Sequence, residues 1–480
     1  MKSKRSRMVI ILSYLMLLAA LPLGCAAGEE PQGEWNRTFG GPYGDGAWSL
    51  QATSDGGYIL AGYTASRGEG SDLWLIKADA KGNHIWDKAF GGSGEDTAYF
   101  VRETEDGGYI VTGSTKSFGI GEERLWLLKT DSNGSRKWDR TFGGFVSSSG
   151  DGGWSLAETK NGGYIIAGYT KSYGAGGKDL WLIRTDHMGN RLWDKVFGGA
   201  KDDVGMSVLQ TKDGGYIVTG RTASFGAGDD DVWLLKTSPV GILQWNVTIG
   251  GKKDDVGFQV IELADGYAIV GRTESGNPQV KMAFLLKTDL RGRKIWEREY
   301  DRGSSGISLQ PTSDSGFIIA GSVDSKQRGK DALLIKTDSI GAEQWSISLG
   351  GPGDDIGSSV VEVKQGEFVL AGITNSMGSG AEDAWLARVK ADQNSSDSNA
   401  EGGNGAARGN DVARGNDVAR GNDAEGGHVA ARGNDSAALE KDAANTTLDV
   451  SINSWRPESG IDRNSYQAML DFQKIFKQRR

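Results

Sequence analysis

The chain contains few of the residues that form disulfides, zinc sites or collagen helices. Among its 480 residues are one Cys, three His and eight Pro. A single cysteine cannot form a disulfide within the chain, and a zinc site of Cys and His ligands would lack its donors. The low proline content, without any G-X-Y period, excludes a collagen helix.

Positive charge and long apolar runs are also scarce. Lys and Arg number 54 against 63 Asp and Glu, which gives a formal net charge of −9. This sign opposes electrostatic capture of nucleic acid, so we expect no nucleic-acid partner. The one long apolar run, residues 8–23, follows a basic stretch at residues 1–7. It is short for a membrane span of about 20 residues and is typical of a secretory signal.

The lone cysteine, Cys25, leaves two interpretations of that signal open. Residues 21–25 have the sequence Leu-Pro-Leu-Gly-Cys, which resembles a lipobox with Pro22 in the place of the usual Leu or Val. This resemblance implies lipid attachment at Cys25, whereas cleavage after Ala27 would remove the cysteine. We expect an exported protein, extracellular or at the cell surface, that touches the membrane only through an N-terminal lipid or an uncleaved signal anchor.

Glycine and tryptophan are abundant, with 74 and 15 residues, and they recur in register. Each repeat has four short runs rich in aromatic and β-branched residues, bounded by Gly and Asp, as is typical of strands joined by tight hairpins. Four strands in each of seven units of about 51 residues predict an all-β fold, a seven-bladed β-propeller of four-stranded antiparallel blades. One Trp per unit is assigned to the structural core of the repeat: Trp35, Trp86, Trp138, Trp193, Trp245, Trp296 and Trp345.

The ends of the repeat predict how the ring closes. The last unit has no fourth strand, because Asp397 stands where the next Trp would fall, while Trp35 begins a strand without a unit of its own. We predict that the strand at Trp35 completes the last blade, which leaves no unpaired edge. The predicted segments are a signal at 1–27, the propeller at 33–391, a low-complexity disordered linker at 392–447 and a short segment at 448–480 that could form a helix.

The repeat text points to a family. Its pattern is Trp-Asp-Lys-x-Phe-Gly-Gly, then Asp-Gly-Gly-Tyr-Ile-x-x-Gly-x-Thr, then Asp-x-Trp-Leu-Ile-Lys-Thr-Asp, over residues 33–391. It resembles the β-propeller repeat family of bacterial and archaeal cell-surface proteins. The resemblance implies the propeller fold and a surface scaffold, and it implies no particular ligand.

An aspartate stands ahead of the first strand in six units, where we expect it near the central channel. A ring of carboxylates could hold Ca²⁺ or a basic ligand, since hard cations take oxygen ligands. Alternatively, each Asp accepts backbone N–H bonds in its own turn, and repetition in nearly every unit favours this interpretation. No catalytic residue, metal ligand or cofactor other than Ca²⁺ is predicted. The six candidates are Asp45, Asp96, Asp151, Asp203, Asp255 and Asp355.

The function predicted from these patterns is recognition rather than catalysis. Tight turns lie on one face of a propeller and longer loops on the other, and ligands usually bind where loops are long. We therefore predict a monomeric, non-catalytic binding or structural module that contacts a surface protein or a glycan through the long-loop face. Two alternatives stay open: an extracellular polysaccharide hydrolase or lyase, and a lipoprotein scaffold for envelope assembly.

Overall fold

The structure is a computed structural model that describes residues 35–119, 123–144, 150–276, 279–325 and 329–390. The signal segment with Cys25 and the chain from residue 391 onward lie outside the described residues. The predictions for residues 1–27, 392–447 and 448–480 therefore stay predictions. Within the described ranges, no helix has the length and apolar character that a membrane crossing requires.

In the described residues, twenty-eight strands form seven antiparallel sheets of four strands each. The four strands of each sheet are named A to D from the inside of the ring outwards. Blade 1 contains β2 (Asp45–Ala52), β3 (Tyr58–Thr64), β4 (Asp72–Ala78) and β5 (His84–Phe90). Blade 2 contains β6 (Asp96–Glu103), β7 (Tyr109–Thr115), β8 (Arg124–Thr130) and β9 (Arg136–Phe142). Blade 3 contains β10 (Asp151–Glu158), β11 (Tyr164–Thr170), β12 (Asp179–Thr185) and β13 (Arg191–Phe197). Blade 4 contains β14 (Asp203–Gln210), β15 (Tyr216–Thr222), β16 (Asp231–Thr237) and β17 (Leu243–Ile249). Blade 5 contains β18 (Asp255–Glu262), β19 (Gly266–Thr273), β20 (Met282–Asp289) and β21 (Lys294–Arg302).

Blades 6 and 7 complete the ring. They contain β22 (Ser304–Pro311), β23 (Phe317–Asp324), β24 (Lys330–Thr337), β25 (Glu343–Leu349); β26 (Asp355–Lys364), β27 (Glu367–Thr374), β28 (Asp383–Lys390) and, as the last outer strand, β1 (Trp35–Phe39). The A–B and C–D turns are short because glycines adopt positive φ there, for example Gly56 at 82° and Gly82 at 75°. The B–C connections, mostly of seven or eight residues, and the D–A connections, mostly of five, lie at the opposite end of the blades, which we call the long-loop face.

The core lies between blades rather than within them. The B and C strands are almost entirely buried, the D strands are half-exposed, and the A strands of neighbouring blades pack on one another around the axis. Seven hydrophobic clusters each join two adjacent blades. The D-strand Trp of one blade packs on the first aromatic residue of the next B strand; the ring centroids of Trp35 and Tyr58 are 6.2 Å apart.

The predicted closure is confirmed. Strand β1 pairs antiparallel with β28, from Trp35 opposite Arg388 to Phe39 opposite Ala384. The indole N–H of Trp385 donates to the side-chain oxygen of Asn36 at 3.3 Å, which repeats the 3.0 Å bond from Trp74 to Asp87 within blade 1. A strand from the start of the chain therefore takes the place of the missing outer strand of blade 7.

Candidate functional site

The six sequence-predicted aspartates are the first residues of six A strands, and each is bound within its own blade. In blade 1 the carboxylate of Asp45 accepts hydrogen bonds from the hydroxyls of Thr64 and Ser66 and, at 2.8 Å, from the N–H of Gly41. This is the geometry of the turn-anchor interpretation, because the carboxylate fastens the incoming D–A loop to the end of the B strand. We call this arrangement the clamp. It recurs at Asp96, Asp151, Asp203, Asp255 and Asp355.

The clamp aspartates do not converge on one point. Within the described ranges, no group of three or more His, Cys, Asp or Glu side chains is placed to hold a metal ion. Blade 6 has Ser304 in the clamp position, and its hydroxyl donates to the backbone oxygen of Asp301. The Ca²⁺ ring therefore stays a prediction.

A second aspartate faces the clamp at five of the seven blade junctions, and the sequence analysis did not single it out. It lies at the start of the C strand, and glycine is needed between the two carboxylates: a Cβ on Gly91 would collide with both Asp72 and Asp96. The same contact relates Asp383 to Asp45 across Gly40. The five pairs are Asp383–Asp45, Asp72–Asp96, Asp179–Asp203, Asp231–Asp255 and Asp331–Asp355. The Asp of the repeated Asp-x-Trp motif is this second aspartate, and its repetition could have pointed to the pair.

Burial of these paired carboxylates raises their pKa values. Burial, with the charge of Asp96 added, raises the pKa of Asp72 to about 6. Burial also raises the pKa of Asp179 to about 7, with Asp203 and Asp202 contributing. A carboxyl whose pKa is raised by folding destabilises the fold at any pH where it must ionise.

Asp72→Asn is expected to stabilise the propeller by about 1–2 kcal/mol at pH 8. The substitution removes a buried charge beside Asp96, and Asp72 itself is only 6% exposed. The gain should shrink as the pH falls from about 6 towards 4, because the wild-type carboxyl becomes protonated in the folded state over that window. Urea unfolding of both proteins at several pH values measures it, with exposed Asp301→Asn as control. An equal gain at pH 8 and pH 4 would contradict the explanation.

Fourteen side chains form what we call the belt, on the long-loop face around the channel mouth. Seven of them occupy the B-strand position of Tyr63, one residue before the last residue of β3. The other seven occupy the position of Ser71, directly before the first residue of β4, in their own blades. The tyrosines of two B strands donate hydrogen bonds to the preceding blade, Tyr63 to Glu382 and, at 2.9 Å, Tyr169 to Glu123. The belt is Tyr63, Ser114, Tyr169, Arg221, Arg272, Ser322 and Ile373 with Ser71, Glu123, Lys178, Asp230, Lys281, Lys330 and Glu382.

Charge is unevenly distributed around the belt. Of the three belt acids, Glu382 and Glu123 belong to blades 7 and 2 and Asp230 to blade 4, whereas all five cations belong to blades 3 to 6. Burial raises the pKa of Glu382 to about 7, and burial lowers the pKa of Lys178 to about 7. Lys178 also lies over the ring of Tyr169, 3.8 Å from the ring centroid. Such buried ionisable groups at a channel mouth are typical of functional sites.

Aromatic rings line the channel below the belt. Every A strand has a β-bulge, and the bulge residues Tyr99 and Trp154 of adjacent blades meet with ring centroids 4.0 Å apart. Because the A strands are the innermost strands, we assign these residues to the channel wall. The indole N–H of Trp154 is buried and has no hydrogen-bond partner among the described residues. The seven bulge residues are Trp48, Tyr99, Trp154, Met206, Phe258, Ile307 and Ser358.

A separate cavity of about 530 Å³ lies between blades 4 and 5. Phe284 occupies the C-strand slot that holds Trp in five other blades, and Glu297 stands where those tryptophans find their Asp or Asn partner. Glu297 instead pairs with Lys294 at 2.9 Å. Burial raises the pKa of Glu299, which also lines the cavity, and the charge of Glu297 adds to this shift.

The closed ring of sheets defines a seven-bladed β-propeller. No known protein family matches the chain, and no curated protein does. It is similar to a protein of unknown function from Bacteroides caccae (13% identity, 60% of this chain and 93% of that one, TM-score 0.39) and to another from Dyadobacter fermentans (12%, 74% and 99%, 0.40). The Neurospora crassa Pan2 WD40 domain is also similar (10%, 72% and 89%, 0.45). The fold assignment rests on the strand order itself, and the cell-surface repeat family expected from the sequence is not identified by these comparisons.

Proposed function

We propose that this chain is exported and that its propeller is a non-catalytic binding module whose ligand enters the channel from the long-loop face. The observation that carries this proposal is a contrast between positions of the repeat. Clamp residues, turn glycines and D-strand tryptophans keep their identity in almost every blade. The belt and channel positions change from blade to blade although many of them are buried.

That contrast argues against a purely structural role for the belt. Seven equivalent positions could be filled by one residue type that satisfies the fold, as six of the seven clamp positions are filled by Asp. Burying charged groups costs free energy unless each is paired, and the belt contains buried Lys178, Arg221, Arg272 and Glu382. An asymmetric set of polar and aromatic groups around a concave mouth is the usual composition of a binding site.

The aromatic lining favours a glycan over a flat protein surface as the ligand. Trp48 and Trp154 lie inside the channel, and the rings of Trp48 and Tyr63 are 6.1 Å apart. Aromatic rings below a polar rim offer a saccharide ring faces to stack on and polar groups to bind its hydroxyls. An exported protein with this site would meet such ligands at the cell surface.

The test is binding of the purified chain to a glycan panel, compared between two matched variants. Trp154→Phe removes an unpaired N–H from the channel and keeps an aromatic ring, so we expect weaker binding with little change in stability. Trp233→Phe removes an N–H that donates to Asn246 at 3.2 Å inside a blade, so we expect lower stability and unchanged affinity. Absence of any ligand, or equal affinity of the two variants, would contradict a site in the channel.

The hydrolase alternative is favoured by one observation, the cavity that Glu297 and Glu299 share between blades 4 and 5. Glycoside hydrolysis uses a pair of carboxyl groups, one with a raised pKa. Turnover of a polysaccharide that both Glu297→Gln and Glu299→Gln abolish would establish it. Turnover unaffected by either variant would exclude this pair. An envelope scaffold would instead copurify with envelope proteins and lose them when residues 448–480 are deleted.

A further inference from the structure

Among the charged residues of the belt, Arg272 has the fewest partners for its buried charge. It is 6% exposed, its Nε is buried without a partner, and its guanidinium makes no hydrogen bond or ion pair to any residue in the described ranges. Arg221 occupies the same position in the preceding blade and binds both carboxylate oxygens of Asp230, at 2.8 and 2.6 Å. A buried guanidinium without a counter-ion costs several kcal/mol, so native structures rarely contain one unless something else pairs with it.

Two lysines lie near Arg272, and none of the described acids in the same region forms an ion pair with it. Strand register places Arg272 opposite Ala283, two residues from Lys281. The N–H of Gly303 donates to the carbonyl of Lys281 at 2.7 Å, and the carbonyl of Gly303 accepts from the N–H of Asp324, the strand partner of Lys330. Burial, and then the charges of Arg272 and Lys330, lower the pKa of Lys281. Asp230 is within electrostatic range, but Arg221 already holds both of its oxygens. Glu274 raises the pKa of Lys281 through its charge, and it forms no ion pair with Arg272 or Lys281 within the described ranges.

The remaining acid in this region is Asp324, which acts weakly on both lysines. It raises the pKa of Lys281 less than the two cations lower it, and its carboxylate lies 3.9 Å from the ammonium of Lys330. Asp324 is also 64% exposed, so solvent screens its charge. No acid of the described chain is thus available to pair with the guanidinium of Arg272.

The fold also omits acids at this one junction. Five junctions carry two facing carboxylates, and the junction of blades 2 and 3 carries Arg124 beside Asp151. At the junction of blades 5 and 6 the corresponding residues are Met282 and Ser304, so neither is acidic. Blade 5, which carries Arg272, therefore borders one junction without an acid at these positions, while its junction with blade 4 keeps the pair Asp231–Asp255.

We propose that Arg272, with Lys281 and Lys330, binds a carboxylate of an acidic glycan, such as one that contains uronic acid. The planar guanidinium fits a carboxylate through two parallel hydrogen bonds, and the two ammonium groups add charge at the mouth. Phe258 is the bulge residue of the strand that pairs with the strand of Arg272, and we assign it the apolar contact with the sugar ring. The proposal rests on the proposed function, since it names the ligand class of the same channel.

The test is calorimetric titration of the full chain with a galacturonate trisaccharide, the neutral galactose trisaccharide and inorganic phosphate. We expect the acidic saccharide to bind more tightly than the neutral one. Arg272→Met should weaken it at least about ten-fold and remove the preference, because a charge-assisted bond is lost. The exposed arginine of blade 5 provides the control: Arg298 stacks on Trp296 at 5.6 Å, and Arg298→Met should leave affinity unchanged.

Stability of the unliganded variant is a second readout. Arg272→Met should raise the melting temperature, because it removes an unpaired buried charge, whereas a structural arginine would leave the variant less stable. A fall in melting temperature, phosphate binding as tight as the saccharide, or equal affinity for both saccharides would overturn the proposal. Saccharide binding that Trp154→Phe weakens and Arg272→Met does not would overturn this inference alone. No binding of any probe would overturn the proposed function as well.

Discussion

Trp35→Ala is expected to open the propeller, with a loss of about 3 kcal/mol in the free energy of unfolding. The ring of Trp35 packs on Tyr58 of blade 1 and against the hairpin glycine Gly82, so its removal leaves a gap at the junction of blades 1 and 7. Strand β1 continues through a loop into β2 of blade 1, but only hydrogen bonds join it to β28 of its own sheet, because β1 and β28 come from opposite ends of the propeller. Loss of the packing of Trp35 on Tyr58 should therefore also separate β1 from β28.

The equivalent residue of the next repeat is the matched control. Trp86 packs on Tyr109 with ring centroids 5.9 Å apart, but its strand is joined to its neighbours by a hairpin and a loop. We expect Trp86→Ala to cost comparable packing energy and to leave the ring closed. Hydrogen exchange should therefore rise along β28 and β2 in Trp35→Ala and stay local in Trp86→Ala. Identical exchange patterns in the two variants would show that the closing strand has no special role.

Asp203→Ala is expected to lower the free energy of unfolding by about 3–5 kcal/mol. Its buried carboxylate accepts hydrogen bonds from the hydroxyls of Thr222 and Ser224, the latter at 2.7 Å, and from the N–H of Gly199 at 2.8 Å. Alanine leaves these donors buried without an acceptor, which costs more than the bonds themselves contribute. Relief of the charge on Asp179 offsets part of the loss.

Ser304 supplies the comparison, since blade 6 folds with a hydroxyl in the clamp position. Ser304→Ala removes a donor to Asp301 and an acceptor for the N–H of Ala283 at 2.8 Å, so we expect a loss of about 1 kcal/mol. Urea unfolding measures both variants, and Asp203→Asn should fall between them. A loss in Asp203→Ala no greater than that in Ser304→Ala would show that the clamp is dispensable.

The blade architecture was predictable because each blade is specified by local signals. Turn glycines, strand runs and one Trp recur in register, and the missing fourth strand of the last unit predicts the closure with Trp35. These signals act over a few residues and repeat seven times, so errors in one unit are corrected by the others. No comparable repetition marks a site that depends on the differences between units.

The channel lining was not predictable from the repeat pattern. Strand periodicity places alternate residues on opposite faces, but a bulge adds one residue and turns Trp48 and Trp154 towards the axis. Within the propeller, Trp48 and Trp154 are the two tryptophans outside the regular C- and D-strand positions, and they were the hint that the sequence carried. The unpaired state of Arg272 depends on where three blades place their charges, which is tertiary information.

Pairing partners show the same limit on a smaller scale. A base ends each C strand, and pairing with turn carboxylates fits the sequence. The structure joins Lys77 to Asp55 of the A–B turn, at 2.9 Å, whereas Asp79 only two residues away binds its own hairpin. In blade 3 the A–B turn has Asn161 instead, and Arg184 donates to the carbonyl of Gly162 at 2.6 Å. Strand register decides the partner, and register is set by the whole blade.

The closing strand also determines how the molecule yields under mechanical load. Strands β1 and β28 are antiparallel, so Trp35, where the chain enters the propeller, lies opposite Arg388, close to where it leaves. Tension applied between the two ends of the chain therefore peels this pair apart one hydrogen bond after another instead of shearing all of them at once. Because nothing covalent spans the seam, blade 7 loses its outer strand first while the other six blades are still intact.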